Sequence, residues 1–113
     1  MSGGSRPDFG SSGSGFGGAS DDCAIVESTV VNSPSAAVLP QITAGMKLGV
    51  ESRAQGGRNI LVAVTKAGAV VGSLTPRRLT DLLTCIDQGN SYIAVVTSRT
   101  GGKCGVEIRP GSL

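Results

Sequence analysis

Three cysteines, eight carboxylates and no histidine are the groups from which any covalent or acid–base chemistry in this chain would have to be drawn. A general acid or base works best with a pKa near the operating pH, and histidine is the side chain that offers this unperturbed. The carboxylates form no paired motif that would push two of their pKa values apart. Cys23, Cys85 and Cys104 make an odd set without a Cys-x-x-Cys pair, so a zinc site has no support. A thiol nucleophile needs a neighbouring base or an electropositive setting, yet Cys85 lies beside an apolar helical stripe and Cys104 on an inward strand face. Both read as inert packing. The glycines from Gly10 to Gly18 are followed by no Lys-Ser or Lys-Thr and open no helix, which excludes a phosphate loop. The expectation is a non-enzymatic protein with no catalytic residue, metal or cofactor.

Charge points to a different chemistry. From Met46 to Pro110 nine lysines and arginines face four acids, a net of +5, whereas residues 1–45 carry one arginine against four acids, a net of −3. A basic folded part favours an anionic partner, although many solvated surfaces share that balance. Arg77 and Arg78 stand where a helix is expected to begin, and cations there oppose the helix dipole. The same corner offers free backbone N–H groups, the Thr75 hydroxyl and two guanidinium groups, all donors suited to a phosphate oxygen. Thr75, Arg77 and Arg78 are therefore the candidate anion-binding corner, with Lys66, Arg58 and Arg99 as flanks. A purely local reading competes with it: Arg77 pairs with Asp81 at i+4 and Arg78 is merely solvated.

The elements that must position these residues follow from periodicity. Ala24 to Val31 alternate as a first strand, ended by Asn32-Ser33-Pro34-Ser35. Ser33 as cap and Pro34 at the first turn predict a short helix over about 34–42. Met46, Leu48 and Val50 alternate with polar residues, and Ala54-Gln55-Gly56-Gly57 reads as a turn. Asn59 to Thr65 is apolar on both faces, the mark of a strand at the centre of the sheet or inside a barrel. A turn at Lys66-Ala67-Gly68 leads to Ala69–Leu74. Thr75 and Pro76 then open the main helix, about 76–88, on which Leu79, Leu82, Leu83 and Ile86 form one stripe. Ser91–Ser98 and Lys103–Arg109 make a final hairpin. The sum is an α+β fold: a small, six-stranded, mostly antiparallel barrel-like sheet with one main amphipathic helix.

Thirteen of the first twenty residues are Gly or Ser, so 1–22 reads as a disordered tail, either an inert linker or a tether with Phe9 and Phe16 as contact points. Residues 23–110 form the single domain, and 111–113 a disordered end. No stretch is long and apolar enough for a membrane span, and Met1–Ser20 has neither the basic nor the apolar region of a signal peptide. Three reduced thiols in a cytoplasmic protein are the simplest expectation, with a Cys23–Cys104 disulfide as the alternative in an oxidising compartment.

The run Gly68-Ala69-Val70-Val71-Gly72-Ser73-Leu74-Thr75-Pro76-Arg77, followed by Leu79, Leu82-Leu83, Gly89 and Tyr92–Val96, resembles the HIRAN domain. The resemblance covers roughly residues 46–98. It implies a six-stranded barrel with a helix or two, found alone in bacteria or fused to Swi/Snf-type helicases, that recognises single-stranded DNA ends. Ser73 stands where that family places an aromatic residue, and only Asn59 matches the signature before its central strand. Tyr92 is the one aromatic left to stack a base.

Two partner classes follow. One is single-stranded DNA or another phosphate-bearing ligand, held by Thr75, Arg77, Arg78, Lys66, Arg58, Arg99 and Tyr92. The other is a protein, bound by an accessory module whose tail is a tether. The basic charge favours the first and the shortage of aromatics the second.

Overall fold

A computed structural model describes residues 21–113. The tail expected over 1–22 thus lies almost wholly outside the described residues. The strands are β1 (Glu27–Asn32), β2 (Lys47–Gln55), β3 (Arg58–Val64), β4 (Val70–Leu74), β5 (Tyr92–Thr100) and β6 (Lys103–Pro110), with α1 (Leu79–Asp87) between β4 and β5. They close into an antiparallel barrel in the order β1-β4-β3-β2-β5-β6, as the alternating aliphatic segments predict. The meander β2-β3-β4 and the hairpin β5-β6 are both present, and β1 closes the ring between β4 and β6.

Period-2 alternation sends Val31, Leu48, Val50, Leu61, Ala63, Leu74, Ala94, Val96, Cys104, Val106 and Ile108 into one core, and a register shift in β4 between Val70 and Gly72 adds Val71 to it, three residues from Leu74. Gly72 lets β1 and β4 approach: a Cβ there would lie 2.5 Å from Val31 Cγ1 and 2.7 Å from the Asn32 carbonyl oxygen. Gly56 and Gly57, with φ of 60° and 80°, form the two-residue turn joining β2 to β3, whose right-handed twist demands positive φ at both positions.

The two mouths of the barrel are closed by different pieces. At the end where β3 and β5 begin, α1 lies across the opening with Leu82 fully buried, and Cys23 and Ile25 fill the space beside it. At the end where β3 and β5 finish, the connection from β1 to β2 folds inward and buries Leu39 and Ile42. Ser35 N–H donates to the Val71 carbonyl there, and Gly45 N–H to that of Val96.

Several boundaries differ from expectation. The turn expected over Ala54–Gly57 is Gly56-Gly57 alone, because Ala54 and Gln55 pair with Asn59 and Arg58 and extend β2. The helix over 34–42 is only a 3-10 turn, Leu39–Gln41, because Pro34 and Pro40 bracket too short a run for an α-helix and the buried leucine and isoleucine are drawn into the mouth. β1 starts at Glu27 rather than Ala24, since Cys23 and Ile25 are committed to the other mouth. α1 starts at Leu79 rather than Pro76. Residues 111–113, expected to be disordered, fold back onto the barrel: Gly111 N–H donates to the Ser91 carbonyl, and Leu113 Cδ1 lies 3.4 Å from the Cβ position of Gly49.

Candidate functional site

The corner at the start of α1 is occupied by the protein's own anion. Glu27 lies opposite Ile108 across β1 and β6, on the inward face at the rim, and its carboxylate rises to the helix N-terminus. Glu27 Oε2 accepts the Arg77 backbone N–H at 2.5 Å, and Oε1 accepts that of Arg78 at 3.2 Å. A carboxylate on these donors satisfies the N-cap N–H of Arg78 and the N–H of Arg77 in the turn before it, and complements the helix dipole, the work expected of Thr75. Thr75 instead accepts a 2.5 Å hydrogen bond from Asn32 Nδ2. Arg78 Nε pairs with Asp81 Oδ2 at 3.1 Å, so the local ion pair spans i,i+3 from Arg78, not i,i+4 from Arg77.

The other basic candidates do not join this corner. Lys66 lies in the β3–β4 turn and Arg99 near the β5–β6 turn, both where β3 and β5 finish. Arg99 donates from Nε to the Leu39 carbonyl at 3.1 Å and also to the Gly101 carbonyl, fastening the loop over that mouth. Arg58 sits beside the Gly56-Gly57 turn, paired with Gln55. Tyr92 is 3% exposed and its hydroxyl donates to the Cys23 carbonyl, which leaves no ring face for a base. Burial pushes its phenol above the usual range, with Arg78 pulling weakly the other way.

The cysteines depart from the sequence reading. Cys23 and Cys85 form a disulfide, so neither three reduced thiols nor a Cys23–Cys104 pair is correct, and Cys85 is not inert packing. Cys104 is the free thiol, fully buried, and burial holds its pKa up against the nearby Arg99. Alternation correctly placed Cys104 inward. That Cys23 meets α1 depends on how residues 23–26 cross the mouth, which no local pattern encodes.

A further feature was invisible in the sequence. β2 pairs with β5 only through Lys47, Leu48 and Gly49, whereas its pairing with β3 runs on to Gln55 and Arg58. The hairpin therefore projects beyond the barrel as an arm, with every residue from Glu51 to Asn59 exposed. The Val96 N–H to Met46 carbonyl bond sets the parity of β2. Alternate residues of an antiparallel strand turn their backbone groups the same way, so beyond the last β5 pairing at Gly49, Ser52 and Ala54 present N–H and C=O to the open side. Beside that edge runs a groove of about 590 Å³ bounded by β2, Lys66, Ile86 of α1, Tyr92 and the returning Leu113. On the arm's other face, Ser52 and Asn59 meet Leu83, Ile86 and Asp87 across a cleft of about 470 Å³.

Among the described residues no group of histidines, cysteines or carboxylates could hold a metal ion, and no helix is long and apolar enough to cross a membrane. No family model matches the chain, and no curated protein matches it. The chain is similar in structure to a protein from Lactobacillus plantarum solved as a structural genomics target, with a TM-score of 0.62 and 18% identity over 74% of this chain and 90% of that one. At that identity the likeness concerns the fold alone.

Proposed function

We propose that this domain is a non-enzymatic interaction module that takes an extended peptide as an added strand along the open side of β2. The observation that carries this reading is the pair of backbone donors and acceptors at Ser52 and Ala54, which lie beyond the end of the β2–β5 pairing at Gly49. Main-chain hydrogen bonds along such an edge supply affinity, and a groove beside it receives alternate side chains of the guest. Ile86 and Leu113 offer that groove apolar contact, while Glu51 and Lys66 supply charge of both signs. Burial pushes the Tyr92 phenol and the Cys104 thiol toward their neutral forms, which suits structural rather than catalytic duty.

Ser52→Pro tests the reading with little damage to the arm. Its N–H faces the open side, and proline is tolerated on the free edge of a strand. Extended peptides selected from a random library against the wild-type domain should perturb the amides of residues 52 and 54, and should lose binding to Ser52→Pro while the barrel's spectrum is retained. Selected peptides that perturb another face, or that bind the variant equally, refute it.

A second reading, a HIRAN-like module for single-stranded DNA or another phosphate-bearing ligand, draws support from Arg53, Arg58, Arg77 and Arg78, all at the α1 end of the barrel. In this reading the arginine side chains carry binding, because Glu27 holds the backbone donors. Replacing Arg77 and Arg78 with alanine should then weaken oligonucleotide binding and flatten its salt dependence. Unchanged affinity and salt slope would leave the peptide reading alone.

The cytoplasmic placement expected from reduced thiols loses that support. A Cys23–Cys85 bond fits an oxidising compartment, or a cytosolic protein whose disulfide is made and broken in use.

A further inference from the structure

Cys23 and Cys85 stand 62 residues apart, and their bond ties the chain entering β1 to the middle of α1. It lies outside the ladder of strand pairings that closes the barrel. Three other contacts hold the same short stretch: the Tyr92 hydroxyl on the Cys23 carbonyl, the Arg78 guanidinium 3.5 Å from the Asp22 carbonyl, and Ile25 buried in the mouth. The two cysteines expose little of themselves, 6% and 4%, yet a pocket of about 320 Å³ lined by Asp22, Arg78, Asp81, Thr84 and Gln88 opens directly onto both. A small thiolate could enter it. Cys104 cannot compete from within the molecule, because it is fully buried near the opposite mouth, beside Arg99.

From this arrangement we infer that the Cys23–Cys85 bond is a thiol–disulfide exchange site, opened by a dithiol through the pocket between Asp22 and α1. One thiolate of the dithiol bonds to a cysteine sulfur and expels the other cysteine as a thiolate. The second thiol of the reductant then attacks the mixed disulfide, leaving two cysteine thiols and an oxidised, cyclic reductant: two electrons and two protons pass to the protein. The outcome is local. Asp21–Val26 loses its covalent hold on α1, while the strands keep their partners all round the ring. This role does not rest on the peptide-binding reading, although Ile86 and Tyr92 border both places.

The test is reduction of the folded full-length chain with dithiothreitol, followed by alkylation and hydrogen exchange. Cys23 and Cys85 should be alkylated under native conditions and Cys104 only after unfolding. Amides of residues 22–26 and of the last turns of α1 should lose most of their protection, while those of β2–β6 remain slowly exchanging, quickened only through the lower global stability that opening the loop brings, and reoxidation should restore protection. Cys104→Ala should behave identically, since that thiol takes no part. A bond that resists dithiothreitol until the protein is denatured overturns the inference, as does loss of protection throughout the barrel on reduction. Unchanged exchange over 22–26 after reduction overturns it equally, because Ile25 and Tyr92 would then be holding the segment without the disulfide.

Discussion

The two mouths of this barrel receive the same residue types and use them differently. At the α1 mouth two cysteines are bonded to each other, an arginine is paired with Asp81, and a carboxylate caps a helix. At the opposite mouth one cysteine is an unpaired core residue and an arginine spends its donors on the Leu39 and Gly101 carbonyls. What differs is the lid. The β1–β2 connection is anchored at both ends by neighbouring strands and hydrogen-bonds to Val71 and Val96, so apolar burial and a few polar contacts hold it. The α1 lid must hold the incoming N-terminal segment as well, whose upstream end belongs to no strand, and a covalent bond and a long-range cap do so.

The largest expected effect comes from removing the covalent tie. Replacing Cys23 and Cys85 together by serine should lower stability by about 4 kcal/mol, the loop-entropy value for a closure of this length, read from chemical denaturation midpoints. A loss as small as that of a surface substitution would mean that the two mouths are held alike. Ile42→Ala at the other mouth should cost about 3 kcal/mol through lost burial and the cavity left behind. If it costs nothing, that lid is not part of the core. Glu27→Ala removes the cap from α1 and should cost about 1 kcal/mol, with faster amide exchange at the start of the helix rather than across the barrel. The smallest effect is on pH dependence. Tyr92 and Cys104 have folded-state pKa values raised by burial, so each favours the folded state fully below its unfolded pKa and loses that contribution as pH rises through its folded one. Stability should therefore decline with alkali beyond the ordinary thiol range, and Cys104→Ala should remove the earlier part of the decline. A flat profile in wild type would show that neither group is held neutral by its mouth.

Much of the ring was legible because alternation needs no tertiary information. Leu48, Val50, Cys104, Val106 and Ile108 announce their inward face by spacing, and the glycines of Ala54–Gly57 announce a turn, though not that Ala54 and Gln55 still belong to β2. The corner at Thr75 was legible as a place with free N–H groups but not as a place already filled, because Glu27 lies 50 residues from Arg77 in the chain. The one clue was its inward parity with Thr29 and Val31, unusual for a carboxylate unless it reaches a rim. The short helix over 34–42 failed where local propensity met a mouth that needed sealing.

Composition and period alone settled that this chain would make six aliphatic strands and one amphipathic helix, since side-chain direction in a strand or helix repeats with fixed geometry. Tertiary structure decided which cysteines meet, which acid caps the helix, and where β2 runs out of a neighbour. Those outcomes depend on closure of the ring and on how each mouth is crossed, and they join residues whose separation in sequence carries no local signal.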